Sequence, residues 1–155
     1  MNVELLIDHL EVLPTIADWY QQEWEPYYGV DGPGDAHADL RSRCNTNEIP
    51  IGLVALEDNQ VQGIVALDLD VATDLSPSIV GLLVASEFRG RGVATRLLES
   101  ATDLAKKLGY YSVYISTTVL GDHLLRHGWR LFGETRFLND DAGSIYVLEL
   151  PASEQ

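Results

Sequence analysis

Apolar residues recur along this chain with two different periods, and the changes of period mark out its elements. Residues 3–7 predict a short first strand. From Pro14, suited to the first turn of a helix, Ile16, Ala17, Tyr20 and Trp24 follow at helical spacing. Residues 28–34, Tyr-Gly-Val-Asp-Gly-Pro-Gly, read as a loop, and Asp35 as the cap of a short helix reaching Cys44. The period then becomes extended. Residues 49–56 predict a strand, 57–60 a turn and 61–71 the returning strand of a hairpin. Residues 73–78, with Pro77, read as a loop, and 79–85 as a buried apolar strand. The clearest helix is 92–108, where Val93, Leu97, Leu98, Ala101, Leu104, Ala105 and Leu108 share one face and Gly109 ends it. A strand at 111–117, a short helix at 122–127 stopped by Gly128, and strands at 129–137 and 144–150 complete the chain. This order predicts a mixed α/β sheet with helices on its faces, in a single domain spanning 1–155.

Composition narrows the partners. Twenty-four acidic against ten basic residues give a formal net charge of −14. Such a surface repels phosphate backbones, so nucleic acid is excluded and a cationic or amine-bearing small substrate is favoured. Cys44 is the only cysteine, so no intramolecular disulfide forms. The longest apolar run, 79–85, is far short of the roughly 18 residues that span a bilayer. The first residues lack the basic stretch of a secretory signal. A cytoplasmic protein with no membrane partner is expected. The four histidines lack metal-ligand spacing with Cys44. His123 and His127 lie one helical turn apart but have no evident third ligand, so no metal site is expected.

The chemistry concentrates at the junction of the apolar strand with the long helix. Residues 82–95 read Leu-Leu-Val-Ala-Ser-Glu-Phe-Arg-Gly-Arg-Gly-Val-Ala-Thr. A helix N-terminus leaves backbone N–H groups unpaired at the positive end of the dipole, and glycines let that backbone approach an anion. With Arg89 and Arg91 added, the segment reads as a pyrophosphate cradle. A dinucleotide turn would place glycine at position 95, which is threonine, and an acid at the end of the next strand, which reads Ser116-Thr117-Thr118. A P-loop would need Gly-Lys-Ser/Thr, which does not follow. The pattern Arg-x-x-Gly-x-Ala is met by Arg89, Gly92 and Ala94.

That pattern resembles the pyrophosphate signature of the GNAT superfamily of acyl-CoA N-acyltransferases. The preceding hairpin, the Leu97-Leu98 helix, the strand at 111–117 and the Gly128-Trp129 step come in family order, so the likeness covers residues 49–150 well. The resemblance implies an α+β fold whose mostly antiparallel central sheet contains one parallel pair splayed apart, with helices on both faces. It implies acetyl-CoA as co-substrate and an amine acceptor. The cofactor would be held by Arg89, Gly90, Arg91, Gly92, Val93, Ala94 and Thr95 at its pyrophosphate. Leu82, Leu83 and Val84 would lie along its pantetheine arm like a paired strand. Family members often dimerise through terminal strands, which leaves a homodimer open.

The sequence departs from the family where the leaving thiolate takes its proton. The usual tyrosine position is Leu124, so the candidate donors become Ser116, Thr117, Thr118 and His123. The cofactor strand carries no acid, and the nearest carboxylates are Asp68, Asp70 and Asp74. Asp70 is the candidate base, with Asp68 and Asp74 beside it to attract an ammonium group. Tyr27 and Tyr28 are candidate walls of the acceptor site, through cation–π contact. Trp19 and Trp24 read as core residues. The departure at Leu124 keeps open a second function, a non-catalytic acyl-CoA-binding or regulatory module. A nucleotide-dependent oxidoreductase is a distant third.

Overall fold

Strand β2 (Ile51–Glu57) and strand β3 (Gln60–Asp70) form the middle of the sheet, and their residues are buried almost without interruption. Such continuous burial arises when both faces of a sheet are covered. They join through Asp58 and Asn59, both at positive φ (51° and 63°), a conformation that these two residue types tolerate in a two-residue hairpin turn. The computed structural model describes residues 1–137 and 141–151. Among these, β1 (Asn2–Leu5), β4 (Leu75–Val84), β5 (Ser112–Thr117), β6 (Arg130–Arg136) and β7 (Ala142–Glu149) complete one seven-stranded sheet of order β1-β2-β3-β4-β5-β7-β6. Every neighbouring pair is antiparallel except β4 and β5, which run parallel.

Each face has its own core. Helix α4 (Val93–Lys107) lays Val93, Leu97, Leu98, Ala101 and Ala105 against Leu53, Val65, Leu67, Ile79 and Val113, and α5 (Gly121–Arg126) adds Leu124. On the other face α1 (Leu13–Glu23) and α3 (Ala36–Ser42) bring Ile16, Ala17, Tyr20 and Leu40 onto Val54, Ile64 and Leu83. The predicted α4 stripe is therefore the real one. Asp35 caps α3 as the sequence suggests, its carboxylate accepting from Ala38 N–H at 3.0 Å.

Three expectations are corrected. The first strand ends at Leu5 rather than residue 7. Leu6 is fully buried against Gly52, and the chain turns into a 3-10 segment, Leu6–Val12. The loop expected at 28–34 begins after a further short helix, α2 (Glu25–Tyr28). Trp24 leaves helical space (φ −120°, ψ 51°) and Pro26 restarts the helix. The loop expected at 73–78 is strand from Leu75 onward. Register slips there between the pairs Asp68↔Ser78 and Asp70↔Leu75. Pro77 lies within the slip, where its missing N–H costs the ladder nothing.

Two features of β4 shape the open end of the sheet. A second slip, between Ile64↔Leu83 and Ala66↔Val80, places an extra residue on β4 around Gly81, whose φ is +63°. This is a β-bulge of the kind that glycine's left-handed conformation allows. Its effect is visible in the packing: Ile79 and Leu82 both meet the α4-side core, whereas Leu83 joins the opposite one. In addition, β4 and β5 pair only at Ser78↔Tyr114 and Ile79↔Ile115. Both strands continue beyond that point, β4 to Val84 and β5 to Thr117, without pairing to each other.

Candidate active site

The gap between β4 and β5 opens toward the segment that joins β4 to α4. That segment is fixed from below by Phe88, buried within a short 3-10 turn, Ser86–Phe88. Above it Gly90, Arg91 and Gly92 are exposed. Gly92 caps α4 at φ +82° and supplies no side chain to the helix end. The first intrahelical bond is donated by Arg96 N–H to the Gly92 carbonyl at 3.1 Å. The N–H groups of Val93, Ala94 and Thr95 lie within the first turn and lack intrahelical partners. A Cβ built at Gly90 or Gly92 would meet nothing within 4 Å. The space over the loop is therefore open, and the backbone is bare toward it. This is the geometry an anion needs at a helix N-terminus.

The two arginines behave differently. Arg89 folds back: its Nε donates to the Val84 carbonyl at 3.0 Å and its Nη2 stands 3.7 Å from Glu23. Arg91 lies over the Phe88 ring at 5.8 Å. Arg89 thus braces the turn against β4, while Arg91 adds positive charge to the open side. Leu83 and Val84 are buried and Leu82 half-buried, so what this stretch offers the gap is its backbone.

Asp68 and Asp70 each have a partner. Arg43 Nε lies 3.4 Å from Asp68 Oδ2. Asp70 Oδ2 accepts from Ser116 Oγ at 3.1 Å, and its Oδ1 accepts from Ala72 N–H at 3.0 Å. Ser116 directly follows Ile115, the last residue of β5 paired with β4. The Asp70 carboxylate is thereby held at the root of the gap, beside the first residue of β5 beyond its pairing with β4. Asp74 stands exposed in the turn after β3, at φ +62°.

Thr117 and His123 do not come together. Thr117 Oγ1 accepts from the N–H groups of Val119 and Leu120, both at 3.2 Å, which leaves its own proton free to donate. It lines a cavity of about 310 Å³ with Thr118, Asp122, Glu134, Ser144 and Tyr146. His123 instead lines a groove of about 320 Å³ between α4 and α5, which also contains Thr95 and Glu99. Its ring stacks on His127 at 4.2 Å, and burial, with His127 and Arg126 nearby, lowers its pKa. At neutral pH it is therefore mainly the free base, a poor proton donor.

Tyr27 and Tyr28 pack edge-to-face at 4.6 Å, and Tyr28 stacks on Tyr20 at 5.6 Å. The Tyr28 hydroxyl donates to Asp39 at 2.7 Å, so this ring braces α2 against α3. Leu124, at the family's tyrosine position, is 1% exposed.

Three groups carry more than their sequence context signals. Tyr146, on β7, brings its hydroxyl to the start of α5, so close that a Cβ on Gly121 would strike it. Ser116 reads from sequence as a candidate proton donor, whereas in the fold it is the partner of Asp70. Arg43, 7% exposed, carries a buried charge that no local motif announces. Each is placed by strand pairing or by contacts far apart in sequence, for which a linear pattern holds no signal.

Among the described residues no helix is long and apolar enough to cross a membrane, and no group of three or more His, Cys, Asp or Glu could hold a metal ion.

Comparison with known proteins agrees with this geometry. The sequence profile described as the Acetyltransferase (GNAT) family matches residues 13–133. No curated protein sequence matches the chain. Solved structures do. One is an aminoglycoside 6'-acetyltransferase type Ii, at 14% identity and TM-score 0.77, covering 99% of this chain and 100% of that one. Another is an aminoglycoside 6'-N-acetyltransferase complexed with coenzyme A, at 13% identity and TM-score 0.74, covering 100% of both chains. A third is the N-acetylglutamate synthase of Neisseria gonorrhoeae, complexed with coenzyme A and N-acetyl-glutamate. It matches at 16% identity and TM-score 0.65, over 97% of this chain and 36% of that one.

Proposed function

The chain belongs to the GNAT acetyltransferase family, and from that premise we propose that it moves an acetyl group from acetyl-CoA to a primary amine by direct attack in a ternary complex. The observation that carries the reading is the gap between β4 and β5 beyond Ile79↔Ile115, leading to the bare N-terminus of α4. Backbone N–H groups of residues 93–95 would take the pyrophosphate, with Gly90 and Gly92 giving close approach and Arg91 adding charge. Residues 82–84 would accompany the pantetheine arm as an added strand would. The whole described chain would serve as one catalytic domain.

The acceptor's amine is protonated at neutral pH and must lose a proton before it attacks. Asp70, at the root of the gap beside Ser116, is the group best placed to receive it, directly or through one water. Asp74, whose N–H donates to the Asp70 carbonyl at 2.7 Å, adds exposed negative charge nearby, in keeping with a cationic acceptor, whereas the Asp68 charge is offset by Arg43. The leaving thiolate needs a proton in turn. A coenzyme A thiol titrates near cysteine, about 8.5, so a hydroxyl such as that of Thr117 or Tyr146, or water, suffices. The aminoglycosides named for two of the neighbours are amines of this class, and serve as first acceptors to try.

One observation favours a second reading. Leu124 is packed into the core at the position where the resemblance implies a tyrosine in many members, which suits a module that binds acyl-CoA without turning it over.

Gly92→Val tests cofactor binding. The substitution puts a branched side chain into the open space over the loop and strains a left-handed backbone. Calorimetric titration should show acetyl-CoA affinity falling at least ~10-fold, about 1.4 kcal/mol. Unchanged affinity in a folded variant removes the cradle.

A further inference from the structure

Two buried polar side chains that the transfer chemistry leaves unused converge on a single residue of β4. The Tyr20 side chain, on α1, is fully buried, and its hydroxyl donates to the Gly81 carbonyl at 2.7 Å. Arg43, which ends α3, is 7% exposed and pairs through Nε with Asp68, yet its Nη1 is buried without a hydrogen-bond partner. A Cβ placed on Gly81 would lie 2.5 Å from the Tyr20 hydroxyl and 3.1 Å from Arg43 Nη1. The two groups therefore close over the bulge and leave room for glycine alone.

The position gives this contact its meaning. Gly81 comes two residues after Ile79, the last β4 residue paired with β5, so the bulge lies where the gap begins. It reverses the side to which the following residues point, placing Leu82 in one core and Leu83 in the other. Any rotation there would re-aim the backbone of residues 82–84. Arg43 is itself fixed, because its carbonyl accepts from Gly52 N–H on β2 at 2.8 Å. The Arg43 charge also acts on the Tyr20 hydroxyl, so the two groups bear on the bulge together.

We propose that Tyr20 and Arg43 are positioning residues, which pin the Gly81 bulge from the helical side and so set how residues 82–84 present their backbone to the acyl-CoA arm. The inference rests on the transferase reading, since it concerns the strand which that reading assigns to the cofactor. It adds a coupling: helices α1 and α3 hold the cofactor strand in shape. The plain alternative is that both residues only fasten helices to the sheet.

Calorimetric titration with coenzyme A and thermal unfolding, run on the same variants, separate these. Tyr20→Phe removes only the hydroxyl and keeps the ring beside Trp24 and Tyr28. Arg43→Lys keeps the charge but not the fork. Asn45→Ala is the control, because it breaks the hydrogen bonds from Asn45 Nδ2 to the Ser42 and Pro50 carbonyls, which fasten the end of α3, without touching Gly81. Tyr20→Phe and Arg43→Lys should each weaken coenzyme A binding roughly five- to tenfold, while Asn45→Ala lowers the melting temperature and leaves affinity within about twofold. Gly81→Ala should weaken binding too, but by a smaller factor in the Tyr20→Phe background, where the hydroxyl it would strike is gone. The proposal is overturned if wild type binds coenzyme A and both Tyr20→Phe and Arg43→Lys match it. It is equally overturned if Asn45→Ala weakens binding as much as they do. Failure of the wild-type protein to bind coenzyme A would instead overturn the transferase reading itself.

Discussion

At Asp70 both carboxylate oxygens are engaged, one by Ser116 and one by the Ala72 N–H, yet each keeps a lone pair. The group is held in place without being used up. Asp70→Asn retains the shape and removes the charge that would receive a proton. Steady-state kinetics should show the acceptor's kcat/KM falling about tenfold or more, while the KM for acetyl-CoA stays within about twofold. Equal losses for both substrates would mean that Asp70 only supports the fold. The open glycine loop before α4 was legible at this scale because its geometry is local: glycines, a helix start and arginines are contiguous. Asp70 was legible as a candidate, but its anchor was not, because Ser116 lies 46 residues away. Tyr20 and Gly81 are 61 residues apart. Nothing in a linear pattern joins such pairs.

The apolar stripe of α4 decides where the glycine loop before it sits. Leu97 is fully buried against strands of the central sheet. Leu97→Ala would leave a cavity there and should cost about 2–5 kcal/mol in chemical denaturation. Coenzyme A affinity in the surviving folded fraction should change little, because the N-terminal turn is intact. Elements with one strong period were legible, as α4 and the hairpin of β2 and β3 demonstrate. Irregular elements were not. Pro77 reads as a loop residue because proline cannot donate to a ladder, but a register slip accommodates it inside β4. The bulge at Gly81 has no periodic signature at all. The gap between β4 and β5 was implied by family resemblance and not by the hydrophobic pattern.

The molecule as a whole carries a net charge of −14, and Asp70, bonded to Ser116, lies beside the first residue of β5 beyond its pairing with β4. Attraction between exposed charges is screened over about 8–10 Å at ordinary salt. For a polycationic amine the acceptor KM should rise several-fold between low and high salt, in an initial-rate assay at saturating acetyl-CoA. A neutral hydroxylated amine should respond less. Salt-independent rates with the cationic acceptor would reduce the acidic surface to a solvated coat.

Whether the fold turns over at all is the central question, and release of free coenzyme A thiol answers it most directly. The purified protein, incubated with acetyl-CoA and a panel of cationic primary amines, should release thiol only when an amine is present. Each mole released should match one mole of N-acetylated product by mass. Tight acetyl-CoA binding with no amine-dependent thiol release across the panel would contradict the account and leave a binding module in its place.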